Sequence, residues 1–128
     1  MPTYDSTRFD PPAPLAEVNL RNPATGAVEP DVPMLLDTGA DVTLVPQAAV
    51  TLLGLTVVPD KYYELTSFNG ATSLAPIVRL ELLFSGRTFR GQFLLTDQEI
   101  GIIGRNILNN VPLLFDGPHL MWNEQRLA

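Results

Sequence analysis

Apolar residues recur along this chain mostly at a period of two, in runs of four to eight residues cut by turn residues, the signature of short strands. The clearest run is Ile77 to Phe84, where Ile77, Val78, Leu80, Leu82 and Phe84 are set against Arg79 and Glu81. Thr88 to Leu95 predicts its partner, with Phe89, Phe93 and Leu95 on one face and the Ser85-Gly86-Arg87 turn between the two. Leu15 to Leu20 is a weaker strand signal, followed by the turn Asn22-Pro23-Ala24-Thr25-Gly26. Tyr62 to Ser67 predicts a strand running into the tip Phe68-Asn69-Gly70-Ala71, where Asn-Gly suits a type I′ turn. Two short apolar runs stand apart. Val32 to Leu36, bounded by prolines, is expected as a buried strand leading into Asp37, and Leu44-Val45 carries the chain onward. Ile100 to Ile103 is expected as a second such strand, ending at Gly104. Pro46 to Leu53 reads as a short helix with proline in its first turn and Gly54 as its stop, and Arg105 to Asn110 as another. Leu113 to Phe115 and Leu120 to Trp122 flank Asp116-Gly117-Pro118, a terminal hairpin. The expected class is all-β with two small helices and no internal repeat.

At 128 residues this is one domain's length, and a 45% hydrophobic content is enough to fill a core. Met1 to Pro14 is polar and carries Pro11, Pro12 and Pro14, so an irregular N-terminal arm is expected there, with the folded domain from Leu15 to Ala128. The net charge of −6, with seven Arg and one Lys forming no cluster, argues against nucleic acid as a partner. Zero Cys excludes disulfides and thiol catalysis, and one His leaves little for a metal, so no metal or cofactor is expected. A Ser-His-Asp triad would have to use His119, which sits in a Gly-Pro turn near the C-terminus. No stretch reaches the roughly 18 apolar residues needed to span a membrane, and no signal-peptide core is present. The default expectation is a soluble cytoplasmic protein.

The candidate chemistry lies in Leu35-Leu36-Asp37-Thr38-Gly39-Ala40-Asp41. Leu35 and Leu36 bury the approach to Asp37, Gly39 permits a tight turn, and the Thr38 hydroxyl can both donate and accept. The tripeptide Asp-Thr-Gly alone is weak evidence. A second segment, Ile102-Ile103-Gly104-Arg105-Asn106, adds an apolar pair, a glycine and a helix start. Together the two segments, with the Asn-Gly hairpin between them, resemble closely the retropepsins, the retroviral-type aspartic proteases, over roughly Leu15 to Trp122.

The resemblance implies a retropepsin-like fold with a flap hairpin, and a site closed by a two-fold homodimer, since one chain holds a single Asp-Thr-Gly. It implies Asp37 as the catalytic aspartate and Thr38 as the residue interlocking the two active-site loops. Gly39, Ala40 and Asp41 would contact the substrate backbone, and Arg105 beside Gly104 would pair with Asp41 at the base of the site. Phe68, Asn69 and Gly70 would form the flap, and Leu35, Ile100 and Ile102 would line side-chain pockets. The implied activity is an aspartic endopeptidase acting on peptide or protein substrates. Some features depart from the family. The flap tip has one glycine, Val42 makes the outer subsite more apolar, and the arm and the segment past Asn110 are longer. A free-standing cellular or bacterial single-domain relative is expected rather than an excised viral enzyme. The rival reading is a dimeric peptide-binding module on the same fold with little or no turnover.

Overall fold

The computed structural model describes residues 2–67 and 69–125. Its ten strands and two helices run in chain order as β1 Tyr4–Asp5, β2 Ala13–Arg21, β3 Val28–Leu36, β4 Leu44–Pro46, α1 Gln47–Leu52, β5 Tyr62–Thr66, β6 Thr72–Phe84, β7 Arg87–Thr96, β8 Gly101–Ile103, α2 Arg105–Leu108, β9 Leu113–Asp116 and β10 Met121–Glu124. Eight strands form one sheet in the order β1-β2-β3-β8-β4-β7-β6-β5, and β2 also pairs with β6. That last pairing closes six of them into a barrel, which removes the exposed edges an open sheet would carry. It is made possible by a register shift between Val18 and Leu20, where β2 passes from β3 alone to β6 as well. Val18, Leu20, Met34, Val45, Val78, Leu80, Leu82 and Ile103 are all but fully buried in the interior. The class is all-β, as the alternation requires.

The four central strands have a symmetry the sequence does not display. In the order β3-β8-β4-β7, the outer pairings β3–β8 and β4–β7 are parallel and the inner β4–β8 pairing is antiparallel. Each inner strand runs into a short helix, β4 into α1 and β8 into α2. The arrangement maps onto itself when β3 exchanges with β7 and β8 with β4. Backbone pairing needs only apolar alternation to repeat, not identical residues.

Several expectations shift. The N-terminal arm is not wholly irregular. Tyr4 and Asp5 pair with Pro14 and Ala13, Tyr4 N donates to Leu120 O at 2.9 Å, and Thr3 bridges Met121. β3 is longer than its apolar stretch and contains Pro30 and Pro33. Pro33 lies beyond Met34↔Gly101, the first β3–β8 pair, where β3 has a partner only on its β2 side, so its missing N–H costs no ladder bond. Glu81, on the polar face of β6, is only 3% exposed. Arg21 Nε and Arg90 Nε bond its two carboxylate oxygens at 2.8 and 2.7 Å from the flanking strands. Trp122 belongs to the core, its ring 6.1 Å from that of Phe84 and its Nε1 donating to Leu15 O. Among the described residues, no helix is long and apolar enough to cross a membrane.

Candidate active site

Asp37 follows directly on β3. Along that strand Met34 and Leu36 are buried, and Leu35 is half-exposed on the opposite face. Alternation therefore places Leu35 and Asp37 on one side of the sheet, their Cα atoms about 7 Å apart. Asp37 N donates to Ile103 O at 3.0 Å, which extends the β3–β8 ladder by one bond and fixes where the loop begins. The chain then turns sharply. Gly39 N donates to Asp37 Oδ1 at 2.9 Å, and Ala40 N to Asp37 O at 3.2 Å. Among the described residues, the other carboxylate oxygen of Asp37 and the Thr38 hydroxyl take no hydrogen bond. Asp37 is half-buried, while Thr38, Gly39 and Asp41 are exposed.

The second motif holds this loop from beneath. Arg105 N donates to Ala40 O at 2.8 Å, and the Arg105 guanidinium to Thr38 O at 2.7 Å. The expected Arg105–Asp41 pair is not formed: the guanidinium is taken by a backbone carbonyl, and Asp41 stands in solvent. A carbonyl acceptor suffices because the sharp turn presents Thr38 O toward the start of α2. Gly104 is required for close approach. A Cβ there would lie 2.2 Å from Val42 O, well inside contact.

Two residues absent from the expected site complete it. Thr43, 1% exposed, donates its hydroxyl to Asn106 Oδ1 at 2.7 Å and accepts from Gly104 N at 3.1 Å. This buried bond ties the start of β4 to the start of α2, so the two motifs are one structural unit. The available signal was a hydroxyl inside the apolar run Val42 to Val45, where only an internally satisfied polar group fits.

The expected pocket residues come together. Leu35, Ile100 and Ile102, with Gly101, Gln98 and Glu99, line a cleft of about 430 Å³, and Phe9 of the arm completes it. A second cleft of about 180 Å³ is lined by Val42, Thr43, Tyr63, Ile77, Gln92, Leu94 and Asn106. Tyr62 and Tyr63 on β5 are 63% and 41% exposed.

The hairpin tip differs in register from the type I′ expectation. Thr66↔Thr72 is the last strand pair, Ser67 N donates to Ala71 O, and Gly70 N to Ser67 O. Gly70, at φ +81°, is the left-handed residue closing a three-residue loop rather than one of two central positions. Asn69 Oδ1 accepts from Ala71 N at 2.9 Å and from the Ser67 hydroxyl at 2.6 Å, bracing the tip. Phe68 lies outside the described residues.

A closed β-barrel with an Asp-Thr-Gly loop latched beneath by a Gly-Arg-Asn helix start, and a long hairpin beside it, defines the retropepsin class of acid-protease domains. The fold matches that of EIAV protease complexed with the inhibitor HBY-793, at a TM-score of 0.56 and 23% identity over 77% of this chain and 86% of that one. The family model described as aspartyl protease matches residues 25–107, well over half of the 128, and the chain belongs to that family. No curated protein matches the chain by sequence.

Proposed function

We propose that two copies of the chain assemble about a two-fold axis and hydrolyse peptide bonds with a water held between their two Asp37 carboxylates. The observation that carries this reading is the presentation of Asp37. It is half-buried at the end of a core strand, on a loop latched by Arg105, with one carboxylate oxygen engaged by Gly39 N–H and the other unengaged among the described residues. A lone carboxylate of this kind is half of a dyad.

Two such carboxylates close together cannot both ionise cheaply, so the pair holds one proton. The ionised member takes a proton from the water as its oxygen attacks the scissile carbonyl carbon. The protonated member gives its proton to the carbonyl oxygen. The tetrahedral diol then collapses: one diol hydroxyl gives its proton to the ionised carboxylate as the C–N bond breaks, the nitrogen takes the proton of the protonated carboxyl, and the dyad again holds a single proton. No covalent intermediate and no cofactor enter. Thr38, its hydroxyl unengaged among the described residues, would bond across the axis and lock the paired loops.

The substrate is an extended peptide lying between floor and flap. Gly39, Ala40 and Asp41 would bond its backbone, and Asn69 and Gly70, with Phe68, would close over it. Leu35, Ile100 and Ile102 on one side, and Val42 with Tyr63 and Ile77 on another, favour cleavage at mainly hydrophobic sites. The likeness to an inhibitor-bound protease supports the same activity here.

The test is hydrolysis of a peptide library by the wild type and by Asp37→Asn across a dilution series. Cleavage should vanish in the variant, and specific activity of the wild type should fall as dimers dissociate. A wild type that binds peptides and cleaves none would favour the binding module instead.

A further inference from the structure

The N-terminal arm returns to the active-site side of the barrel. Because Asp5 pairs with Ala13 and Tyr4 with Pro14, residues 6–12 form a loop at the start of β2. The next positions on β2 and its neighbours run Leu15↔Leu35↔Ile102, a row two residues before Asp37 and on its face of the sheet. The loop is built rather than slack. Asp5 Oδ1 accepts from Thr7 N at 2.8 Å, the Thr7 hydroxyl at 2.9 Å and Arg8 N at 2.9 Å, and Asp5 Oδ2 from Arg8 Nη1 at 2.8 Å. Phe9 follows this knot directly. It is half-buried and lines the 430 Å³ cleft together with Leu35, Ile100 and Ile102.

We propose that Phe9 is a wall of the substrate pocket beside Asp37 and sets the size of apolar side chain the pocket accepts, with Asp5 as the residue that positions it. The inference rests on the protease reading above and deepens it. Leu35 shares a strand face with Asp37, so the cleft it lines takes a substrate side chain next to the scissile bond. Its apolar lining is the aliphatic Leu35, Ile100 and Ile102 from the barrel and the aromatic Phe9 from the arm, beside Gln98 and Glu99. An aromatic or long aliphatic group fills it, and a small one leaves Phe9 without contact. The knot persists in acid, since the Arg8 backbone N–H, more than any other group, holds the Asp5 carboxyl down at about 2.

The test uses the full chain and a fixed series of extended decapeptides, identical but for a central Ala, Leu, Phe or Trp. Both kcat/KM and thermal unfolding are read. Phe9→Ala should shrink the preference for Phe over Ala by about 10-fold, and Phe9→Leu by less. Asp5→Ala should raise KM for the Phe peptide with kcat held, and Asp5→Asn, which keeps the Oδ1 acceptor, should restore most of it. Binding of the same series to the Asp37→Asn protein is measured in parallel. If the wild type cleaves nothing while Asp37→Asn protein still discriminates by size and loses this with Phe9→Ala, the protease reading fails and the pocket stands. An unchanged size preference in Phe9→Ala and Phe9→Leu, in proteins that unfold at the wild-type temperature, overturns the inference.

Discussion

Replacing Thr43 by valine probes the joint between the two motifs at a single atom. Valine matches threonine in shape and removes only the hydroxyl, which is 1% exposed with the rest of the residue. Gly104 N then loses its acceptor in a buried site, a loss of about 1–3 kcal/mol. Asn106 is exposed, so its amide oxygen returns to water at little cost. The added methyl recovers about 0.8 kcal/mol of burial. The net loss is about 0.2–2 kcal/mol, which for a domain of this size lowers Tm by roughly 1–10 °C. Activity should fall beyond what unfolding explains, because Gly104 begins the helix whose Arg105 holds both Thr38 O and Ala40 O. Circular dichroism melts at one fixed protein concentration give the Tm, and peptide hydrolysis well below it gives kcat/KM. Thr43→Ser keeps the hydroxyl and should lie close to wild type. A Thr43→Val protein melting within about 1 °C of wild type, or a Thr43→Ser protein equally damaged, would refute the claim that this bond couples the motifs.

Two further outcomes follow from other parts of the structure. Arg105→Ala should cut kcat/KM by about 10-fold with a small change in Tm, since its guanidinium bond to Thr38 O is exposed and orients the loop more than it stabilises the barrel. Steady-state kinetics beside a melt separate the two effects. The Arg21 guanidinium, then that of Arg90, hold the Glu81 carboxyl below its ordinary value of 4.5. A carboxyl so depressed adds stability above that value and loses it as pH falls through the folded-state titration. Wild-type Tm should therefore drop below about pH 4.5, and Glu81→Gln should show a shallower drop over the same range.

Much of the site was legible because its motifs carry local signals. An apolar run ending in Asp-Thr-Gly fixes a strand and a turn, and Gly104 before Arg105 marks a helix start. What stayed hidden depended on partners distant in sequence. Glu81 alternates as a solvent-facing residue would, and only the pairing of β6 with both β2 and β7 brings Arg21 and Arg90 over it. The Asn69-Gly70 turn is set by the Thr66↔Thr72 register, which a four-residue window does not contain. Arg105 was matched to Asp41 by charge, whereas the folded loop offers Thr38 O. Phe9 carried no signal, since the arm's prolines read as an irregular lead-in. The barrel-closing β2–β6 pairing needs a bulge that apolar periodicity does not reveal.

The most direct test of the central claim is to titrate wild-type protein with Asp37→Asn chains and follow peptide hydrolysis per wild-type chain. If each site takes one Asp37 from each of two chains, the variant draws wild-type chains into dimers with an incomplete dyad. Activity per wild-type chain should then fall to about half at equal amounts and approach zero in excess variant. Activity that stays constant throughout the titration, with mixed dimers demonstrably present, would contradict a site built from two copies of Asp37.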